Sequence, residues 1–161
     1  MLWGCRLEKQ YGQYILSVMR LTTLTDFSLR MLIHLAIKPD GRATISEVAR
    51  AYRISENHLM KVAHLLGQAG YLATLRGRKG GLALARPAAA ITAGEVVRCM
   101  EPDMALVPCF AEAPCAILPA CRLKHRLHAA REAFLAVLDA TTIADLAEPQ
   151  QALRDLLGIA A

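Results

Sequence analysis

Three of the five cysteines, Cys109, Cys115 and Cys121, are separated by five residues each within PCFAEAPCAILPACRLKH. Thiols in such a row could form disulfides, hold a metal or do redox chemistry. Prolines at 108, 114 and 119 sit just ahead of them, and proline opposes both helix interiors and strand pairing. On a helix, six steps of roughly 100° would also turn successive thiols to different faces. The segment therefore reads as a loop that folds around something. Proline stiffening lowers the entropy of the unfolded loop, so closing it on a ligand costs less.

The setting narrows the chemistry. The first eighteen residues, MLWGCRLEKQYGQYILSV, mix charges into their apolar positions and lack a signal-peptide core. No apolar run reaches transmembrane length, and no membrane partner is expected. A cytoplasmic, reducing compartment is the default, where clustered cysteines point to metal or thiol chemistry rather than structural disulfides. Zinc favours four Cys/His ligands with a closely spaced pair, which these wide gaps match poorly, although His125 could be a fourth ligand. An iron–sulfur cluster is bulkier and suits wider gaps. Redox thiols without metal are the remaining alternative.

The elements around the loop say what such a centre would control. MRLTTLTDFSLRMLIHLAIKPDG predicts a first helix, capped by Thr25, with Phe27, Met31, Leu32 and Leu35 at helical spacing. Thr44-Ile45-Ser46-Glu47 is a capping box that opens a short second helix. After a turn at Arg53-Ile54, Ser55 caps a third helix. Leu59, Val62, Leu66 and Ala69 form the expected buried stripe of that helix, and Asn57, His58, Lys61, His64 and Gln68 its other face. Two short apolar strands then flank Arg76-Gly77-Arg78-Lys79-Gly80-Gly81, a glycine-rich hairpin with cations at its tip. Helix, turn, helix and basic hairpin together make the winged helix-turn-helix pattern. The third helix would enter a major groove, and the wing would lie along phosphates or the minor groove. The DNA-binding candidates are Ser46, Ser55, Asn57, His58, Lys61, Arg76, Arg78 and Lys79.

Further along, Thr92-Ala93-Gly94-Glu95 reads as another capping box, before a helix with Val96, Val97 and Met100 inside. Cys99 on it is expected to be a buried or half-buried core thiol. After the cysteine loop, Leu123, Leu127, Ala130, Phe134 and Val137 follow a heptad-like rhythm on a long helix. A dimer seam is expected there, because a two-fold dimer reads two half-sites of a palindrome. Thr142 caps a last turn or two, and a weak short helix follows Pro149. Charge divides along the chain: eleven Lys and Arg face four acidic residues over 19–86, against six and nine over 87–161. A basic reader joined to a mildly acidic sensing or pairing element fits that division.

The fold class expected is mainly α with a small β-hairpin wing: a winged helix-turn-helix domain plus a long dimerisation helix. The expected organisation is an extension at 1–18, a DNA-binding domain at 19–87, and a linking helix and cluster-binding loop at 88–121. A dimerisation helix at 122–147 and a C-terminal tail at 148–161 complete it. The extension, with Cys5, is expected to be dispensable or disordered. No nucleophile–base motif is present, so an enzyme is not expected. An electron carrier would leave the basic wing without purpose.

MRLTTLTDFSLR, ISENHLMKVAHLLGQAGYL, RGRKGGLALARP and the triple cysteine leading into CRLKHRL resemble the iron–sulfur winged-helix regulators of the IscR/NsrR family, over about residues 19–147. The resemblance implies a homodimer on palindromic operator DNA, with one cluster per subunit held by Cys109, Cys115 and Cys121. The likeness is nearer to the nitric-oxide-sensitive repressors, which implies nitric oxide as the signal, cluster nitrosylation as the chemistry and DNA release as the outcome. IscR-type members complete the site with a histidine three residues past the last cysteine. Here Lys124 holds that place and His125 lies one further. In some of the nitric-oxide-sensitive members an acidic residue of the partner's first helix is the fourth ligand, and the TDF motif places Asp26 there. That scheme favours [4Fe–4S], with [2Fe–2S] possible. An IscR-like sensor of cluster status, or a regulator using zinc or bare thiols at the same cysteines, is the alternative.

Overall fold

The structure is a computed structural model that describes residues 20–77, 80–111 and 113–159. The extension at 1–18 with Cys5, and the wing-tip residues Arg78 and Lys79, lie outside the described residues.

Helix α1 spans Thr23–Ile37 and is capped by Thr22, whose hydroxyl accepts from the Thr25 N–H at 3.3 Å. This corrects the expected cap by three residues. The Thr25 side chain is fully buried and donates instead to Glu101, far along the chain. Helix α2, Ile45–Tyr52, opens on the expected capping box: Thr44 accepts from the Glu47 N–H, and the Glu47 carboxylate accepts from the Thr44 N–H. It ends at Arg53 in the left-handed region (φ 55°), which turns the chain toward helix α3, Glu56–Gln68. Ser55 holds the cap position of α3 but makes no capping hydrogen bond. Leu59, Val62 and Leu66 of α3 are buried, whereas Ala69 is exposed because the helix ends at Gln68 and Gly70 turns the chain away at φ 78°.

Strands β1, Leu72–Leu75, and β2, Gly81–Leu84, pair antiparallel with Leu72 opposite Leu84 and Leu75 opposite Gly81. Ala43, just before α2, exchanges both backbone hydrogen bonds with Leu82, at 2.8 and 3.1 Å. The base of the wing is thereby pinned to the loop between α1 and α2. Gly81 permits it: a Cβ there would stand 2.8 Å from the Ala43 carbonyl oxygen.

Helix α4 spans Ala93–Met100, α5 Arg122–Asp139, α6 Ile143–Leu146 and α7 Gln150–Leu157. Thr92 caps α4, but Glu95 completes no capping box; its carboxylate pairs with Arg86 at 2.5 Å. Cys99 is exposed, contrary to expectation, because Val96, Val97 and Met100 take the buried face of α4. Two short 3₁₀ turns, Pro108–Ala111 and Leu118–Ala120, break the proline-rich loop before α5.

One apolar core ties these elements together. Met31, Leu32 and Leu35 of α1 meet Val48 of α2, the α3 stripe, Ile91 and Val96, and Ile143 of α6 joins them fully buried. The chain after α5 returns to this core by backbone bonds from Ile143 N to Ile91 O and from Ala93 N to Thr141 O, both 2.8 Å. Arg154 of α7 donates to the Ile37 carbonyl at 2.6 Å, satisfying the open end of α1. No helix among the described residues is long and apolar enough to cross a membrane.

Candidate functional site

Two surfaces carry the chemistry that the sequence singles out. The first is the outer face of α3. With Leu59, Val62 and Leu66 buried, Asn57, His58, Lys61, His64 and Gln68 are all exposed. Ser55 is exposed at the head of the helix, and Ser46 is half-buried in the first turn of α2. Arg76 is exposed at the start of the wing. These residues occupy one helix-turn-helix and its hairpin. A helix about 10–12 Å across with polar side chains outward is the shape a major groove admits. Arg86 stays out of this set: it lies over the Tyr71 ring at 5.1 Å and pairs with Glu95.

The second surface is the segment from Glu101 to Cys121. Its start is fixed to α1. One Glu101 carboxylate oxygen accepts from the Thr22 N–H at 2.8 Å and from the Thr22 and Thr25 hydroxyls at 3.2 and 2.5 Å. Its middle is fixed to α5. The Arg131 guanidinium lies 5.2 Å from the centre of the Phe110 ring, and the His128 ring lies 6.1 Å away. A groove of about 660 Å³ opens between 101–106 and the α5 residues Leu127, Ala130 and Phe134.

Cys109, Cys115 and Cys121 are free thiols; Cys115 is exposed and the other two are half-buried. Cys121 caps α5, its sulfur accepting from the Lys124 N–H at 3.5 Å. The positive end of an 18-residue helix faces that sulfur, an environment suited to an anionic ligand. Among the described residues no three His, Cys, Asp or Glu side chains converge closely enough to hold a metal ion. The donor set itself suits an iron–sulfur cluster: three uncommitted thiols on a turn-rich surface segment, none packed in the core. His125 is exposed one turn along α5 from Cys121. Asp26 is on the first turn of α1, its carboxylate 44% exposed and paired to Arg30 at 2.9 Å. Arg30 in turn lies 5.8 Å from the Tyr52 ring at the end of α2.

Phe27, next to Asp26, places its ring 6.2 Å from that of His58 on α3. The first turn of α1 thus touches both the segment that carries the cysteines and the helix that faces outward. Sequence reading missed Glu101, Phe110 and Arg131, because contacts across tens of residues leave no periodic signal. Of the residues in the heptad-like rhythm of α5, Leu123, Ala130, Phe134 and Val137 are exposed and Leu127 is half-buried, whereas Leu135, outside that rhythm, is the buried residue of the helix.

Known proteins resemble this chain over most of its length. The family model Rrf2, described as an iron-dependent transcriptional regulator, matches residues 21–149. The chain is 47% identical over 142 residues to the HTH-type transcriptional regulator NsrR of Geobacillus kaustophilus, covering 86% of this chain and 97% of that protein. Among solved structures, CymR, the global cysteine regulator of B. subtilis, is similar with a TM-score of 0.66 at 28% identity, over 81% of this chain and 97% of that one. IscR of T. potens shares the fold, with a TM-score of 0.64 at 23% identity over 79% and 85% of the two chains. On the winged helix-turn-helix and this match over most of its length, the chain belongs to the Rrf2 family of transcriptional regulators.

Proposed function

We propose that this regulator is a cytoplasmic, homodimeric repressor whose grip on palindromic operator DNA depends on an iron–sulfur cluster and is released by nitric oxide. The observation that carries the reading is the set of three free thiols, Cys109, Cys115 and Cys121, on a segment tied to α1 by Glu101 and to α5 by Phe110. The 47% identity to an NsrR supports it. The three thiolates would hold one cluster per subunit, with the partner subunit's Asp26 as the fourth ligand. A cluster with one carboxylate ligand supplies an iron open to a small diatomic molecule, since a hard oxygen donor suits iron–sulfur iron less well than thiolate. [4Fe–4S] fits that arrangement and [2Fe–2S] is the other form the same cysteines would accept, with His125 or water as the alternative fourth ligand.

The chain's own residues do the rest. Asp26, now paired with Arg30, would have to leave it to serve as a ligand. Phe27 beside it rests against His58, so a shift of the first turn of α1 would reach α3. Asn57, His58, Lys61 and the Ser46 and Ser55 hydroxyls face the groove, while Arg76, Arg78 and Lys79 hold phosphates. The exposed Leu123, Phe134 and Val137 pair the two copies along α5 and fix the spacing of the half-sites.

Iron and acid-labile sulfide analysis of the full chain purified without oxygen tests this reading. A coloured protein with iron and sulfide in near-equal amounts is expected, and loss of both on Cys109→Ala, Cys115→Ala or Cys121→Ala. A colourless protein holding one zinc per chain contradicts it and supports the zinc or bare-thiol alternative.

A further inference from the structure

Seven large apolar side chains are exposed among the described residues, and six of them follow Cys115: Ile117, Leu118, Leu123, Phe134, Val137 and Leu156. The seventh is Met60, half exposed on α3 within the DNA-binding unit. Single exposed hydrophobic residues are ordinary on protein surfaces, so its position must carry the argument. At about 100° per residue, Met60 lies roughly 40° from His64 and 60° from Asn57 around the α3 axis, and 100° from the buried Leu59. It therefore belongs to the exposed side of the helix, beside Asn57 and His64. That face is otherwise polar: Glu56, Asn57, Lys61, His64 and Gln68 are all exposed around it.

The major groove displays one apolar group on its base edges, the C5-methyl of thymine. Methionine is unbranched and adaptable, and it packs against irregular apolar surfaces without a fixed rotamer. We propose that Met60 is a specificity-determining residue that packs on a thymine methyl in the major groove, so each operator half-site requires thymine at one position. The inference rests on the DNA-reading role of α3 and is independent of what the cysteines hold.

Selection from a random duplex library, using the full chain and its Met60→Ala and Met60→Gln variants, tests it. The wild type is expected to enrich a two-fold symmetric site with one thymine per half-site that Met60→Ala no longer demands. Met60→Gln is expected to change that preference to adenine, whose N6 and N7 a glutamine side chain can engage together. In the selected duplex, deoxyuridine at this thymine removes only the methyl. It should weaken wild-type binding about fourfold per half-site, the worth of one buried methyl group, and leave Met60→Ala binding unchanged. The deoxyuridine measurement on wild-type protein stands even if a variant were to fold poorly. Identical preferences in wild type and both variants, or no loss on deoxyuridine substitution at any thymine of the site, would overturn the Met60 contact alone. Enrichment of no sequence by the wild type would overturn it together with the DNA-reading role.

Discussion

His34 sits in the core of the DNA-binding unit at 2% exposure, and its Nδ1 has no hydrogen-bond partner among the described residues. Its ring meets Tyr52 edge-on at 5.8 Å, and Lys38 and Glu47 flank it as an ion pair at 3.5 Å. Burial holds the imidazole below its usual range, Lys38 adds to the effect and Glu47 opposes it. A histidine whose folded pKa is lowered takes up its proton more readily once unfolded. The stability it permits is therefore full above about pH 6.5 and declines as pH falls below that. Denaturant unfolding at pH 7.5 and 5.5 should show this loss, at most about 1.4 kcal/mol per pH unit for one group. His34→Leu should flatten that part of the profile; an unchanged slope would count against the assignment. Single residues were also where sequence reading went astray. Thr25 looks like a cap, yet its hydroxyl is drawn to Glu101 by a contact across 76 positions. Cys99 looks like a core thiol, yet its neighbours Val96, Val97 and Met100 take the inward face of α4.

Elements were more legible, because their signals lie within a few residues of one another. The capping box at Thr44–Glu47, the stripe of α3 up to Leu66 and the hairpin around its glycines appear where their local pattern puts them. The long helix α5 was equally plain, but its role depends on which side it buries. Gly94 of α4 lets α5 end close by: a Cβ there would stand 2.8 Å from the Asp139 backbone nitrogen, and Arg98 clasps the same aspartate. That junction leaves Val137 65% and Leu123 62% exposed on an adjoining face. In the proposed dimer, a pair of such faces would be buried between two copies. Val137→Glu would place a charge in that seam, which is costly without a partner charge. Sedimentation should then show a monomer with the fold intact. The affinity for a two-half-site operator should fall at least tenfold, because only one recognition helix would engage at a time. A dimer that survives Val137→Glu would move the interface elsewhere.

At the scale of the molecule, the return of the chain to its own core was not legible. Thr142 caps a short helix as read, but nothing in the local pattern says that Ile143 joins the core of α1, α2 and α3, or that Arg154 closes the end of α1. Those contacts fasten α5 to the DNA-binding unit at its C-terminal end. Near its N-terminal end lies the cysteine segment, tied to α1 through Glu101. In the proposed switch, a change in the order of that segment would be conveyed to α1, and through the contact of Phe27 with His58 to α3. For such a switch to be sharp, the state of the cysteines must alter DNA affinity by several kcal/mol. The most direct measurement follows DNA binding by anaerobically purified full-length protein during titration with nitric oxide. Release of a selected operator in step with bleaching of the visible absorbance, and no such response in Cys115→Ala, is the predicted result. Bleaching that leaves the protein on its operator, or equal release from the cysteine variant, would contradict the account.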